Sequence, residues 1–316
     1  MASLAEMFGA GAEAAATFMG LPRADLAAPA ADVVILGADG CTPYGSVGHY
    51  CAGGVAAIRA AAAAYAANLG HMNFDIGGPV EGLGDRRLRI ADAGDVPVST
   101  TDGAANRAVL AQAVGQVLDA GAVPVLIGGD DSLPIPMLQA YAARGRRIVI
   151  LQVDAHIDWR DEVQGERWGL SSTMRRASEM AGIERIVQVG QRGIGSARMA
   201  DVADARAWGV EFVSGREVQE GGLARTIGLI PEGSEVVICL DWDALDPAIM
   251  PAVIGRTAGG LSFGQTLDLI EGVAGRARIA GLALTEFMPA QDIGGMGAMT
   301  AAQLVAAALG MIGRRP

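Results

Sequence analysis

Of the 316 residues, 51% are hydrophobic and 19% charged, enough apolar material to build a sizeable core and exclude a disordered chain. A formal net charge of -11 and a pI near 4.8 exclude a phosphate-backbone partner, because nucleic-acid binding relies on clustered basic side chains. The mean hydropathy of +0.32 comes from Ala and Gly, and apolar runs break well short of a bilayer's thickness, so no membrane partner is expected.

No Lys or Arg precedes Arg23, so a basic secretory leader is absent and a cytoplasmic location is expected. Cys41, Cys51 and Cys239 form neither a disulfide framework nor a close-spaced zinc pattern, and read as small core residues.

In chain order, residues 1–31 read as an Ala-rich N-terminal arm able to form a short amphipathic helix, and 32–316 as a single domain. Residues 32–37 (DVVILG) are predicted as a buried strand closed by a Gly turn, and 54–69 as a helix stopped by Gly70, with a low-complexity linker as the competing reading. A helix at 104–120 precedes a strand at 123–127 (VPVLI), and a helix at 134–144 precedes a strand at 148–153 (IVILQV). Further strands are predicted at 186–189, 211–213, 235–240 (EVVICL) and 279–284 (IAGLAL), with helices at 262–275 and 300–311. Alternation of helices with nearly continuous apolar strands predicts an α/β fold, a mostly parallel sheet covered by helices on both faces. Such sheets bind ligands at the carboxyl ends of their strands.

Three of these strand ends carry acidic clusters: GGDDS at 128–132, DAHID at 154–158 and DWDALDP at 241–247. A single Asp after a strand serves equally well as a turn former or helix cap. Three clusters at corresponding ends are harder to explain that way. Asp154, His156 and Asp158 have period-two spacing, as do Asp241 and Asp243, so an extended backbone projects each set to one side. Converging carboxylates and an imidazole repel or compete for protons unless a cation neutralises them, and a mixed oxygen and nitrogen donor set suits Mn, Ni, Zn or Fe.

The order GGD-x-S, DAHxD, DxDxxDP, with DAGDV at 92–96 and TEFMP at 285–289, resembles the ureohydrolases: arginase, agmatinase, guanidinobutyrase and proclavaminate amidinohydrolase. The resemblance runs from about Asp32 onward and implies the three-layer arginase-like fold and hydrolysis of a guanidino C–N bond to urea, or a urea analogue, and an amine. It implies two divalent ions, one on Asp131, Asp154, Asp158 and Asp241, the other on Asp154, His156, Asp241 and Asp243, with metal-activated water attacking the guanidinium carbon. Glu286 matches the position that pairs with the substrate guanidinium, although a surface Glu after a buried strand is the plain alternative.

Two departures follow. Asp131 stands where the family motif has His, so five carboxylates and one imidazole face the two ions, and this hard oxygen set favours Mn, with Ni as the alternative. The segment 159–176 lacks the family's downstream proton-shuttling His, and Trp168 stands near its place. General-acid duty then passes to Asp158, Glu286, another nearby group or water.

Trp159, Arg160, Asp161 and Glu162 directly follow a ligand motif and, with Trp168 and Glu286, are the candidate substrate contacts; they read equally as a surface loop. Arg160, Arg175 or Arg192 could meet an acidic substrate tail, Asp161 or Glu162 an amine tail. His49 and His71 read as satisfied loop histidines. The expected partner is a small cationic guanidino substrate, within a homo-trimer or hexamer implied by resemblance or a hetero-oligomer with a paralogue. Guanidine or biguanide hydrolysis, and a weak or inactive structural subunit of a hetero-oligomer, are the competing functions.

Overall fold

Strand residues alternate between two packed faces in the computed structural model, which describes residues 16–82 and 87–312. The strands are β1 (Val33–Gly37), β2 (Ile90–Asp95), β3 (Val123–Ile127), β4 (Ile148–Val153), β5 (Ile183–Val189), β6 (Glu211–Val213), β7 (Glu235–Asp241) and β8 (Arg278–Thr285). They form one sheet in the order β2-β1-β3-β8-β7-β4-β5-β6, with every pairing parallel. The helices are α1 (Gly54–Ala62), α2 (Gly103–Asp119), α3 (Pro134–Ala142), α4 (Thr173–Ser178), α5 (Met199–Trp208), α6 (Gly215–Gly221), α7 (Ala224–Leu229), α8 (Phe263–Ala274) and α9 (Met296–Ile312).

On one face, Val33 and Ile35 of β1 and Val149 and Leu151 of β4 join a core with Ile58 of α1, Leu269 of α8 and Leu304 of α9. Their neighbours Val34, Leu36, Ile148 and Ile150 point the other way, into a second core with Leu110 of α2, Leu138 of α3 and Ala177 of α4. Period-two alternation on a sheet buried on both sides produces this division. Each such side chain contributes about 1.5–3 kcal/mol by leaving water. Cys41, Cys51 and Cys239 are free thiols buried in the protein, as expected.

The strand ends differ little from the sequence expectation, except that β5 starts at Ile183. The helix expected over 54–69 gives way after Ala62 to a 3-10 turn, Ala63–Asn68. Ser262 caps α8 through a reciprocal box with Gln265, and Asp102 caps α2 by accepting from the Ala105 N–H. Most of the leader's expected helix lies outside the described residues; within them Phe18–Gly20 forms one 3-10 turn whose Phe18 N–H donates to buried Asp92. No helix of the described residues is long and apolar enough to cross a membrane.

The edge strand β2 was not read as a strand. Its sequence IADAGD holds two aspartates and a glycine, poor strand formers that tertiary partners stabilise here. Arg59 of α1 grips Asp92 through two contacts of 2.9 Å and also bonds Asp95, so the buried charge is paired.

Candidate active site

The four central strands β3, β8, β7 and β4 bring their carboxyl ends together, and the acidic motifs meet there. After β3, Gly128 and Gly129 both have positive φ (98° and 77°), and a Cβ on Gly128 would lie 2.7 Å from the Ala38 carbonyl oxygen. This tight turn separates the two following carboxylates. Asp130 accepts from the Cys41 and Ser132 N–H groups and holds the loop, whereas Asp131 faces inward. Thr285 Oγ1 donates to Asp131 Oδ1 at 2.8 Å, and Asp131 Oδ2 is buried without a hydrogen-bond partner.

Asp131, Asp154 and Asp241 place carboxylate oxygens within 4.8 Å of one another, and Asp154, His156 and Asp243 do the same. Asp154 belongs to both groups, as a bridging ligand would. Asp241 joins one of them, and its Oδ1 accepts from the Asp243 N–H at 2.7 Å. His156 Nδ1 lies 3.0 Å from Asp243 Oδ2 and 3.4 Å from Asp154 Oδ1. Asp158 stands near these groups, its Oδ2 accepting from the same Gln152 amide as Asp154, in a backbone conformation (φ 43°) rare for a non-glycine residue.

Without ions the cluster is electrostatically frustrated. Burial, then the Asp154 charge, pushes the carboxyls of Asp131, Asp158 and Asp243 up; burial, then Asp243, raises Asp241. Burial also pushes against Asp154, but hydrogen bonds from His156 and Asp158 hold it down at about 2. Burial works against a charged His156, yet bonding to Asp154 and Asp243 lifts it to about 11. Divalent cations would replace those protons, and the orphaned Asp131 oxygen supplies a lone pair aimed into the gap. The donor set therefore fits two cations.

Glu286 stands beside this cluster at φ 74°, another strained non-glycine position. Its Oε1 accepts from the Asp131 N–H at 2.8 Å and from the Tyr50 hydroxyl. Burial lifts its pKa to about 8, partly opposed by the Tyr50 bond.

A cavity of about 220 Å³ opens onto Asp131, His156, Asp158, Asp241, Asp243 and Glu286. Of the expected substrate contacts, Trp159 and Arg160 also line it. The Trp159 ring is buried in the core and its Nε1 donates to Asp204, so only part of the residue meets the cavity. Asp161, Glu162 and Trp168 do not line it. Asp161 is exposed and paired with Arg167 and Arg176, and Glu162 is exposed. The guanidiniums of Arg107 and Arg176 lie 5.1 and 5.9 Å from the centre of the Trp168 ring, a cation–π pairing on a residue that does not line the cavity. Arg175 is spent on Asp204, and Arg192 on backbone carbonyls that include those of Asp243, Leu245 and Thr257. His49 is satisfied by the Thr100 carbonyl, and His71 is exposed.

Two contributors escaped the sequence reading. Gln152 Nε2 donates to Asp154 Oδ2 and Asp158 Oδ2, each at 2.6 Å, and its carbonyl accepts from Gln188. A lone amide in the apolar run IVILQV, two positions before Asp154, was the available signal. Tyr50 had none beyond its place next to His49.

The fold and this site define an α/β protein whose parallel strand ends carry a carboxylate-rich, potential two-cation centre. A profile of the Arginase family matches residues 31–310. The chain is 31% identical over 223 residues to the mitochondrial guanidino acid hydrolase of Homo sapiens, a match covering 69% of this chain and 63%, just under two thirds, of that protein. It is 28% identical over 302 residues to the agmatinase of Pyrococcus horikoshii, covering 94% and 96% of the two chains. The solved proclavaminate amidino hydrolase of Streptomyces clavuligerus superposes with a TM-score of 0.81 at 28% identity, over 95% of this chain and 97% of that one. The chain belongs to the arginase family, hydrolases that act on amidino groups.

Proposed function

We propose that this chain hydrolyses the C–N bond of a guanidino compound to urea, or a urea analogue, and an amine, with two divalent ions, manganese first and nickel second. The observation that carries the reading is the pair of donor groups sharing Asp154, with Glu286 lining the same cavity. The relatives named guanidino acid hydrolase and agmatinase support the reaction class. Hard oxygen donors, including Asp131 where the family motif has His, support manganese.

Asp131, Asp154, Asp158 and Asp241 would hold one ion, and Asp154, His156, Asp241 and Asp243 the other. Bound there, the ions supply Lewis acidity and lower the pKa of water toward neutrality. Glu286, fixed at Oε1 by the Asp131 N–H and Tyr50, presents its carboxyl group to the guanidinium, a charge-assisted pairing that orients the central carbon toward the donor cluster. Asp158 and Glu286 are the acids in the wall able to pass a proton to the departing amine. Gln152 steadies Asp154 and Asp158 from behind.

The test is release of urea and amine from a panel of guanidino compounds by manganese- and nickel-loaded protein. The reading expects turnover of at least one compound, with equal yields of both products. Failure of every compound with both metals contradicts it.

A further inference from the structure

The charges in the cavity wall divide into two sets. Asp131, His156, Asp158, Asp241, Asp243 and Glu286 occupy the strand ends, where the reacting group would bind. Among the described lining residues, the only other charges are Arg160 and Asp201, and they are paired with each other: Arg160 Nη1 lies 2.9 Å from Asp201 Oδ2, with both side chains mostly shielded from water. Asp201 also sits in the first turn of α5, where the helix dipole favours its negative charge. The two charges compensate each other, although Arg160 Nη1 makes no hydrogen bond.

The rest of the outer wall is apolar or small. Leu170 and Ile254 face the cavity beside Gly195, Ser171 and Ser196. Ile254 is 44% exposed and adds apolar surface to the wall of this acidic cavity.

We infer that the cavity selects a guanidino compound whose remaining substituent is short and uncharged. This inference rests on the guanidino-hydrolase reading above. A carboxylate tail drawn to Arg160 meets the like charge of Asp201 beside it, and an ammonium tail drawn to Asp201 meets that of Arg160. That repulsion cancels much of what either contact gains. An alkyl tail displaces water from Ile254 and Leu170 and leaves the pair intact. At about 220 Å³ the cavity lies below the roughly 300–1,000 Å³ usual for drug-sized ligands, which suits a compact molecule.

The experiment compares three guanidines of matched chain length, ending in methyl, carboxylate or ammonium. Each is assayed with manganese-loaded wild-type protein for kcat/KM, and with the same protein for binding by thermal shift. The expected result is a kcat/KM for the methyl-ended compound at least about 10-fold above either charged one. Asp201→Asn should then shift the ratio toward the carboxylate-ended compound by about 10-fold, and Arg160→Gln toward the ammonium-ended one.

A wild-type preference for a charged tail overturns the inference and leaves the hydrolase reading standing. A preference for the methyl-ended compound that neither substitution alters overturns the role of the pair. If nothing is hydrolysed but binding ranks the methyl-ended compound first, the selectivity stands and the hydrolase reading falls. If nothing is hydrolysed or bound, both fall.

Discussion

The strand ends and the segment that follows β4 present similar chemistry in sequence and opposite outcomes in space. In the first region, motifs after β3, β4 and β7 converge, so that Asp131, His156, Asp158, Asp241, Asp243 and Glu286 line one cavity, with Asp154 buried beside them. In the second, residues 159–176, only Trp159, Arg160, Leu170 and Ser171 line it; Asp161, Trp168 and Arg175 turn to partners elsewhere. A strand fixes the direction of every second side chain by its own backbone. A loop side chain points wherever its best partner lies, and those partners include Arg107 and Asp204, distant in the chain, and Arg176 at the end of the segment itself. Charge and position along the sequence therefore identify ligands at strand ends and fail to identify substrate contacts in the loop.

Substitutions sharpen this contrast, beginning at the donor cluster. Asp243→Ala should release one ion and lower kcat by about 10³-fold, equivalent to about 4 kcal/mol, measured by product release at saturating substrate. Retained activity in that variant would remove Asp243 from the ligand set. Glu286→Gln should keep both ions and lower kcat/KM by roughly 10²-fold. Gln152→Ala, which removes a neighbour of Asp154 and Asp158, should weaken metal binding by about 10–100-fold in a competition titration with a chelator.

The electrostatics of the first region also fix a pH dependence. Asp131, Asp158 and Asp241 have carboxyls raised by burial, and Glu286 is raised to about 8. Such groups stabilise the metal-free fold fully below their unfolded pKa values, about 3.9 for Asp and 4.3 for Glu. That contribution is lost as pH rises through the folded values, and His156, raised to about 11, acts in the same direction. Asp154, held at about 2, acts oppositely but only in strong acid. Metal binding needs the deprotonated ligands, so its stabilisation grows with pH. The metal-induced rise in Tm should be larger at about pH 8 than at about pH 5.5 by roughly 5 °C. An equal or smaller rise at the higher pH contradicts the protonation pattern.

In the loop, Trp168→Phe should change kcat by less than about 3-fold while costing about 0.5–1 kcal/mol of stability through weakened packing against Arg107 and Arg176. A loss of activity with intact stability would return Trp168 to the site.

The sheet was legible because apolar runs such as VVILG and IVILQV mark buried parallel strands without further context. β2 was not, because its aspartates act through Arg59, an ion pair that no local pattern reveals. Period-two spacing marked Asp154, His156, Asp158, Asp241 and Asp243 as side chains that converge, while Asp131 entered the proposed donor set through resemblance. Glu286 owed its assignment to resemblance, and Tyr50, which fixes its carboxyl group, lies 236 positions away in sequence. Arg192 illustrates the reverse error. Considered as a cation for a substrate tail, it instead ties the loop carrying Asp243 to Thr257 through main-chain carbonyls, and the sequence contains no trace of those acceptors.

The measurement that bears most directly on the two-ion centre is metal content after reconstitution with manganese and removal of loosely held ions, for wild-type protein and Asp243→Ala side by side. The account predicts close to two ions per wild-type chain and close to one in the variant. Fewer than one ion per wild-type chain, or the same content in both proteins, would contradict it.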